Sequence, residues 1–331
     1  MTTTLLRPAR TESSAITAPP EDLPLAANPV AINRAVGYIA FLMPPLLILS
    51  AWLTGICNGQ IFLDSLSHHY YAPLGGSIFT GALCCIGLLM IFLYRRKTRA
   101  PSPIADGKTR VIVAEGFANF STWDMVRVRI AGIASLLVAF LPTKGTGCES
   151  GDALLRGFAQ LPPAPNFDTY LGRAPETLEV WFDFWRVFGV ENTIADRAHS
   201  LAAGVMFLIL GYMSLVVFTR LQSPDAAKGG SVVLEVREPS ENLTRQKRIR
   251  NVIYVLCGLL IFVCVGLLGI KSYLVPDDSQ LEVWLNSWNA TFLLETIALW
   301  AFALSWLVKG RFVRRLNDPT TAHARRMRTV S

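Results

Sequence analysis

Charge is what this sequence has least of. Only 17% of its 331 residues are Asp, Glu, Lys or Arg, against roughly a quarter in an ordinary soluble domain. The deficit falls in discrete apolar windows, which excludes one large soluble core and points to bilayer spans. Histidine is scarcer still: there are four, and two are neighbours, His68 and His69. The chain contains no H-E-x-x-H pair, no G-x-S-x-G elbow and no glycine-rich phosphate loop. These absences leave a zinc protease, a serine hydrolase and an ATP-driven pump without their usual supports. The net charge of +7 invites a nucleic-acid reading, but no aromatic platform or recognition motif accompanies the basic residues. Membrane topology and attraction to anionic lipid headgroups account for them instead.

Long apolar runs are plentiful. Six windows approach the roughly 20 residues needed to cross a ~30 Å hydrocarbon core: Val36–Ile56, Ile78–Tyr94, Met125–Thr143, His199–Phe218, Val252–Ile270 and Leu285–Val308. The first contains Pro44-Pro45, whose missing backbone donors predict a kink. The third is interrupted by Arg127 and Arg129, which must snorkel to the interface if it spans. Residues 1–35, rich in Thr, Ser, Ala and Pro, read as a disordered tail. The first apolar run begins too late, and is too long, for a cleaved signal peptide.

Charge placement tests the interrupted window. With six spans and the N-terminus inside, 25 of the 31 Lys and Arg residues fall on the inner side. Omitting the third span would move the Arg245-Gln246-Lys247-Arg248-Ile249-Arg250 cluster outside, against the positive-inside rule. The expectation is therefore an all-α integral membrane protein of the bacterial inner membrane. It is a bundle of six transmembrane helices with short interfacial helices, an outer cap at 144–198, a basic tail at 309–331 and both termini cytoplasmic.

Four of the six cysteines, Cys84, Cys85, Cys257 and Cys264, fall inside spans, where cysteine behaves as a small hydrophobe. Cys57 and Cys148 follow the outer ends of helices, on the oxidising side, and are a candidate disulfide; two unpaired thiols are the alternative. Trp181 and Trp185, like Trp284 and Trp288, are four residues apart, a spacing that suits amphipathic elements at the headgroup level. Arg110–Val113 and Ser231–Val236 read as strands able to pair into a small cytoplasmic ribbon.

Several segments together resemble a known kind of protein. They are Ser65-x-Ser67-x-x-Tyr70-Tyr71-x-Pro73, Ala131-Gly132-Ile133-Ala134 continuing to Pro142-Thr143, and His199 followed by Leu210-Gly211-Tyr212-Met213-Ser214. Arg250-Asn251-Val252-Ile253-Tyr254 with Cys257-Gly258 belongs with them, as does Leu294-Glu295-Thr296 through to Lys309-Gly310. From about Val36 to Gly310 the chain resembles six-span bacterial integral membrane proteins of the DUF998 and Frag1/DRAM/Sfk1 type. That resemblance implies a six-helix fold and no particular activity. Its members carry an Arg-Asp pair after the double tyrosine where this chain has Gly75-Gly76, so no charged-pair mechanism transfers.

The candidate binding residues are Ser65, Ser67, His68, His69, Tyr70, Tyr71, His199 and Glu295. Glu295 is an acid inside an apolar span, about ten residues from its outer end, and so near mid-membrane. It is either a proton or cation site or a structural acid with a buried partner. The Ser65–Tyr71 segment and His199 are either an interfacial aromatic and polar belt or the lining of an outward-facing pocket able to sense external acidity. Three functions follow. The first is a non-enzymatic protein binding lipid or another ligand in that pocket, which needs no cofactor and no metal. The second is a small proton-coupled transporter using Glu295. The third is a metal-dependent hydrolase with His68 or His69, His199 and a carboxylate as ligands, for which the spacing gives no support. Expected partners are membrane lipids, with anionic headgroups near the cytoplasmic basic segments, and no nucleic acid. A homo-oligomer is compatible with the sequence.

Overall fold

The computed structural model describes residues 29–55, 61–72, 74–94, 102–103, 109–110, 121–141, 159–160, 181–182, 195–220, 243–276 and 279–317. Its long helices are α1 (Pro29–Thr54), α2 (Gly75–Leu93), α3 (Thr122–Phe140), α4 (Ala195–Tyr212, carried on by a π turn at Met213–Val217) and α5 (Arg245–Leu274). A short α6 (Gln280–Asn286) precedes the last long helix, α7 (Ala290–Lys309). Five of these, all but α3 and α6, are long and apolar enough to cross a membrane. The protein is a helical membrane protein.

Local chemistry explains where the helices begin. Ser121 and Asp124 form a reciprocal capping box at the start of α3, satisfying donors that helix geometry leaves orphaned. Thr244 caps α5 through the Lys247 N–H at 3.2 Å, so this helix starts seven residues before the apolar run alone suggests. Helix α1 begins at Pro29, a residue suited to a first helical turn, so residues 29–35 are helical and not tail. It continues unbroken through Pro44 and Pro45. At the other end of the chain, Leu285 belongs to the separate α6, and the last long helix begins at Ala290.

Each long helix runs antiparallel to the next. Thr80 on α2 donates to Ala139 O on α3 near one end, and Ser135 of α3 donates to Leu83 O of α2 further along. Deeper still, Gly87 and Gly132 face each other so closely that a Cβ on either would meet the other's carbonyl oxygen at 2.7–2.8 Å. Helix α3 packs on α4, α4 on α5, α5 on α7 and α7 on α1, which in turn packs on α2. Six helices thus close into a ring, filled by Leu47, Ile86, Met90, Leu210, Met213, Tyr254, Phe302 and Trp306, all at most 2% exposed. The π turn closes through Phe218 N–H to Met213 O. It carries the Phe218 ring to within 4.5 Å of the Trp306 ring.

One end of the ring is rich in arginine. Asp124, fully buried, accepts from Arg127 of its own helix at 3.3 Å and from Arg220 beyond α4 at 2.7 Å. Both guanidinium groups also reach the Tyr212 hydroxyl. Elsewhere at this end, cationic side chains donate to helix-terminal carbonyls. Arg34 reaches Gly310 O at 2.6 Å and Arg311 O at 3.0 Å, Lys247 reaches Phe218 O at 2.8 Å, and Arg250 reaches Leu316 O. Beneath them the Trp306 indole donates to Tyr94, whose hydroxyl donates to Asn33.

Thr109–Arg110 lies antiparallel to Ser102–Pro103, a local partner that costs little loop closure; of the expected cytoplasmic ribbon, residues 111–113 and 231–236 lie outside the described residues. Trp181–Phe182 pairs with Ala159–Gln160, so Trp181 is extended and not on a helical face. The rest of the cap at 144–198 up to Ile194, Trp185 included, and the tails at 1–28 and 318–331 lie outside the described residues.

Candidate functional site

At the other end, Ser65 organises a tight turn. Its hydroxyl meets His68 Nδ1 at 2.8 Å and accepts the His68 N–H at 3.3 Å. A hydroxyl makes both bonds by donating to the ring while accepting from the backbone. Ser67–Tyr71 forms a 3₁₀ turn, with His69 N–H donating to Leu66 O at 3.2 Å. The His69 ring is completely buried, and its Nδ1 lies 3.3 Å from Ser65 O. A carbonyl only accepts, so Nδ1 carries the proton and Nε2 presents a lone pair. Burial pushes the His69 pKa down to about 4, overriding the opposing pull of the Ser65 and Leu66 carbonyls.

His199, in the second turn of α4, ties three elements together. Its Nδ1 donates to Leu141 O just past α3 at 2.6 Å, and its Nε2 accepts from the Ser67 hydroxyl at 2.8 Å. The tautomer follows from the carbonyl, and both ring nitrogens are engaged by protein. The bond to Leu141 O also satisfies one of the carbonyls that the end of α3 leaves free.

Glu295 has a different position from the one expected. Because α7 begins at Ala290, Glu295 lies in its second turn, about 8 Å along the axis, near the histidine end of the helix and not half-way along it. Its Oε2 accepts from Leu66 N–H at 2.7 Å, while Asp64 O accepts from Phe292 N–H at 3.1 Å. This two-way clamp fixes the 61–66 segment to the first turns of α7. One turn nearer the helix start, Thr291 accepts from Lys271 of α5 at 2.7 Å. Lys271, Thr291 and Glu295 are all half-buried on the perimeter of the bundle. Beside them α6, capped by Ser279 and without a buried residue, carries Trp284, which meets Trp288 edge-on at 4.7 Å.

The structure therefore joins Ser67 with His199, and Ser65 with His68, and places Glu295 against the same loop. It does not bring His68, His69 and His199 to one centre. Among the described residues, no three His, Cys, Asp or Glu side chains come together as a metal-ligand set. Tyr70 is buried. The Tyr71 side chain and both cysteines of the candidate disulfide, Cys57 and Cys148, lie outside the described residues. Sequence reasoning passed over Leu66 N–H, Leu141 O, Lys271 and Thr291. Two are backbone groups without a sequence signature, but a lone lysine near the end of a span was a readable signal. No protein-family model, curated protein or solved structure matches this chain, so the functional reading rests on its geometry.

Proposed function

We propose a non-enzymatic, six-span protein of the bacterial inner membrane, with both termini cytoplasmic, that binds lipid at its outer end. Three features support six spans. The first is the antiparallel packing of α3 along α2 and α4. The second is the need for the chain to return from the arginine end, where α2 finishes, to the histidine end, where α4 begins. The third is the basic residues at the arginine end, which suit the anionic inner leaflet.

The observation carrying the lipid reading is the half-buried Lys271–Thr291–Glu295 row, at the end of the bundle that also carries the exposed Trp284 of α6 and Trp288 just after it. A partly exposed cation and hydroxyl at an end that also carries exposed tryptophans, which favour the headgroup layer, suit the phosphate of a phospholipid. Glu295 as a transport acid is disfavoured because one of its oxygens is committed to Leu66 N–H. Mass spectrometry of protein extracted in its own lipids tests the proposal. Wild type is expected to retain phospholipid, and folded Lys271→Gln to retain several-fold less. Equal retention by the two, or none by wild type, overturns it.

A further inference from the structure

Two polar atoms near the histidine end are buried without a protein partner among the described residues: His69 Nε2 and Thr296 Oγ1. A third, Asn251 Oδ1, lies near the arginine end of α5 and is unrelated to them. His69 is completely buried and Thr296 is 6% exposed. Both adjoin Phe292. The His69 ring centroid is 6.0 Å from that of Phe292, and Thr296 follows Phe292 by four residues, on the same face of α7 and about 6 Å further along the axis.

Thr296 is unusual among the helical hydroxyls of this bundle. Ser50, Thr54, Thr219 and Ser305 each donate back to a carbonyl three or four residues earlier. Ser135 and Ser214 donate to a carbonyl of the neighbouring helix. A hydroxyl inside a membrane helix takes one of these routes by default, because nothing else there accepts its proton. Thr296 takes neither. His69 is equally specific in what it offers, since Nδ1 is spent on Ser65 O and Nε2 can only accept.

We infer that His69 Nε2 and Thr296 Oγ1 form an internal binding site for one small O–H or N–H donor, a water molecule or an ammonium ion, beside the Phe292 ring. An anion does not fit, because His69 presents a lone pair and Thr296 supplies one proton. An apolar guest leaves both atoms unmatched. Either donor satisfies Nε2 and rests on the aromatic wall; water lets Thr296 donate or accept, whereas ammonium donates to Thr296 Oγ1 and adds a cation–π contact. Native structures rarely leave two such atoms unpaired in one neighbourhood.

Magic-angle-spinning NMR of the full chain, labelled with ¹⁵N-histidine and held in lipid nanodiscs, tests this, with the His69 resonances assigned by their loss in His69→Gln. The expected result is a correlation from a non-histidine proton to His69 Nε2, kept in Thr296→Ser and weakened several-fold in the near-isosteric Thr296→Val. If the correlation is to exchangeable water and is indifferent to replacing sodium chloride with ammonium chloride, the guest is water. A shift of Nε2 specific to ammonium identifies the ion. An Nε2 with no such proton in either salt, or a correlation unchanged in folded Thr296→Val, overturns the inference.

Discussion

The two ends of this bundle solve the same problem by opposite means. Each must match backbone groups that helix ends leave unpaired in or near a membrane. The arginine end does so with charge: Arg34, Lys247 and Arg250 donate to carbonyls, and Asp124 holds two guanidinium groups. At the histidine end the polar turn is matched mainly by neutral groups of fixed proton position, with His199 between Leu141 O and Ser67, and Ser65 between the ring and N–H of His68, and Glu295 adds one acceptor for Leu66 N–H. Charge at one end depends on keeping its partners. At the other end, hydrogen bonds depend on which nitrogen bears the proton, so acid is their weakness.

The largest effect that sharpens this contrast is expected from Asp124→Ala. It removes the buried carboxylate that Arg127 and Arg220 share, leaving them the Tyr212 hydroxyl. It also takes away the half of the α3 capping box that accepts from Ser121 N–H, while the Ser121 hydroxyl cap remains. Because Arg127 and Arg220 remain about a third exposed, the cost is discounted to roughly 4 kcal/mol in total, read as a fall in unfolding midpoint in detergent.

Next comes acid. His69 has a folded pKa of about 4 against an ordinary 6.5, so between those values the unfolded chain binds a proton that the folded one does not. Stability is full above about pH 6.5, falls as the pH drops through the window, and levels off below about 4. The total loss is about 3 kcal/mol at 1.36 kcal/mol per pKa unit. Unfolding midpoints measured across pH 7 to 4 check it, and His69→Asn is expected to flatten the curve. If the wild-type curve is already flat, the histidine end is not the acid-sensitive one.

A smaller loss, about 2 kcal/mol, is expected for His199→Ala, which leaves Leu141 O and Ser67 without their shared partner. The smallest is Glu295→Gln. A glutamine oxygen still accepts from Leu66 N–H, so the midpoint is expected to move by less than about 1 kcal/mol equivalent. A large drop would mean that the negative charge, and not the hydrogen bond, holds the loop.

The helices were legible in the sequence because apolar length and charge asymmetry are properties of composition. Their ends were less so. Thr244 and Ser121 start helices ahead of the apolar runs they serve, and hydropathy does not register a capping hydroxyl. Ser67 and His199, both singled out by residue type, are bonded to each other, while Glu295 sits nearer the start of its helix than the count from Leu285 gives. Counting from Leu285 put it near mid-membrane, whereas the break before Ala290, with Asn289 in the left-handed region at φ 53°, resets the count. The Asp124–Arg220 bridge joins residues 96 positions apart. No local pattern announces such a pair, although a capping-box aspartate beside an arginine-rich window was a partial sign.

The mutual approach of Gly87 and Gly132 has a consequence for biogenesis. In the six-span arrangement we propose, α3 is the segment that the hydrocarbon layer alone is least able to retain, since it falls short of the apolarity of its five companions. Two helices whose backbones touch, with no side chain between them at the crossing, can leave the insertion machinery as a preformed hairpin. Helix α2 then carries its more polar neighbour into the bilayer. A larger side chain at either glycine would act before folding is complete, by turning an insertable pair into two separate segments, one of which returns to the aqueous side.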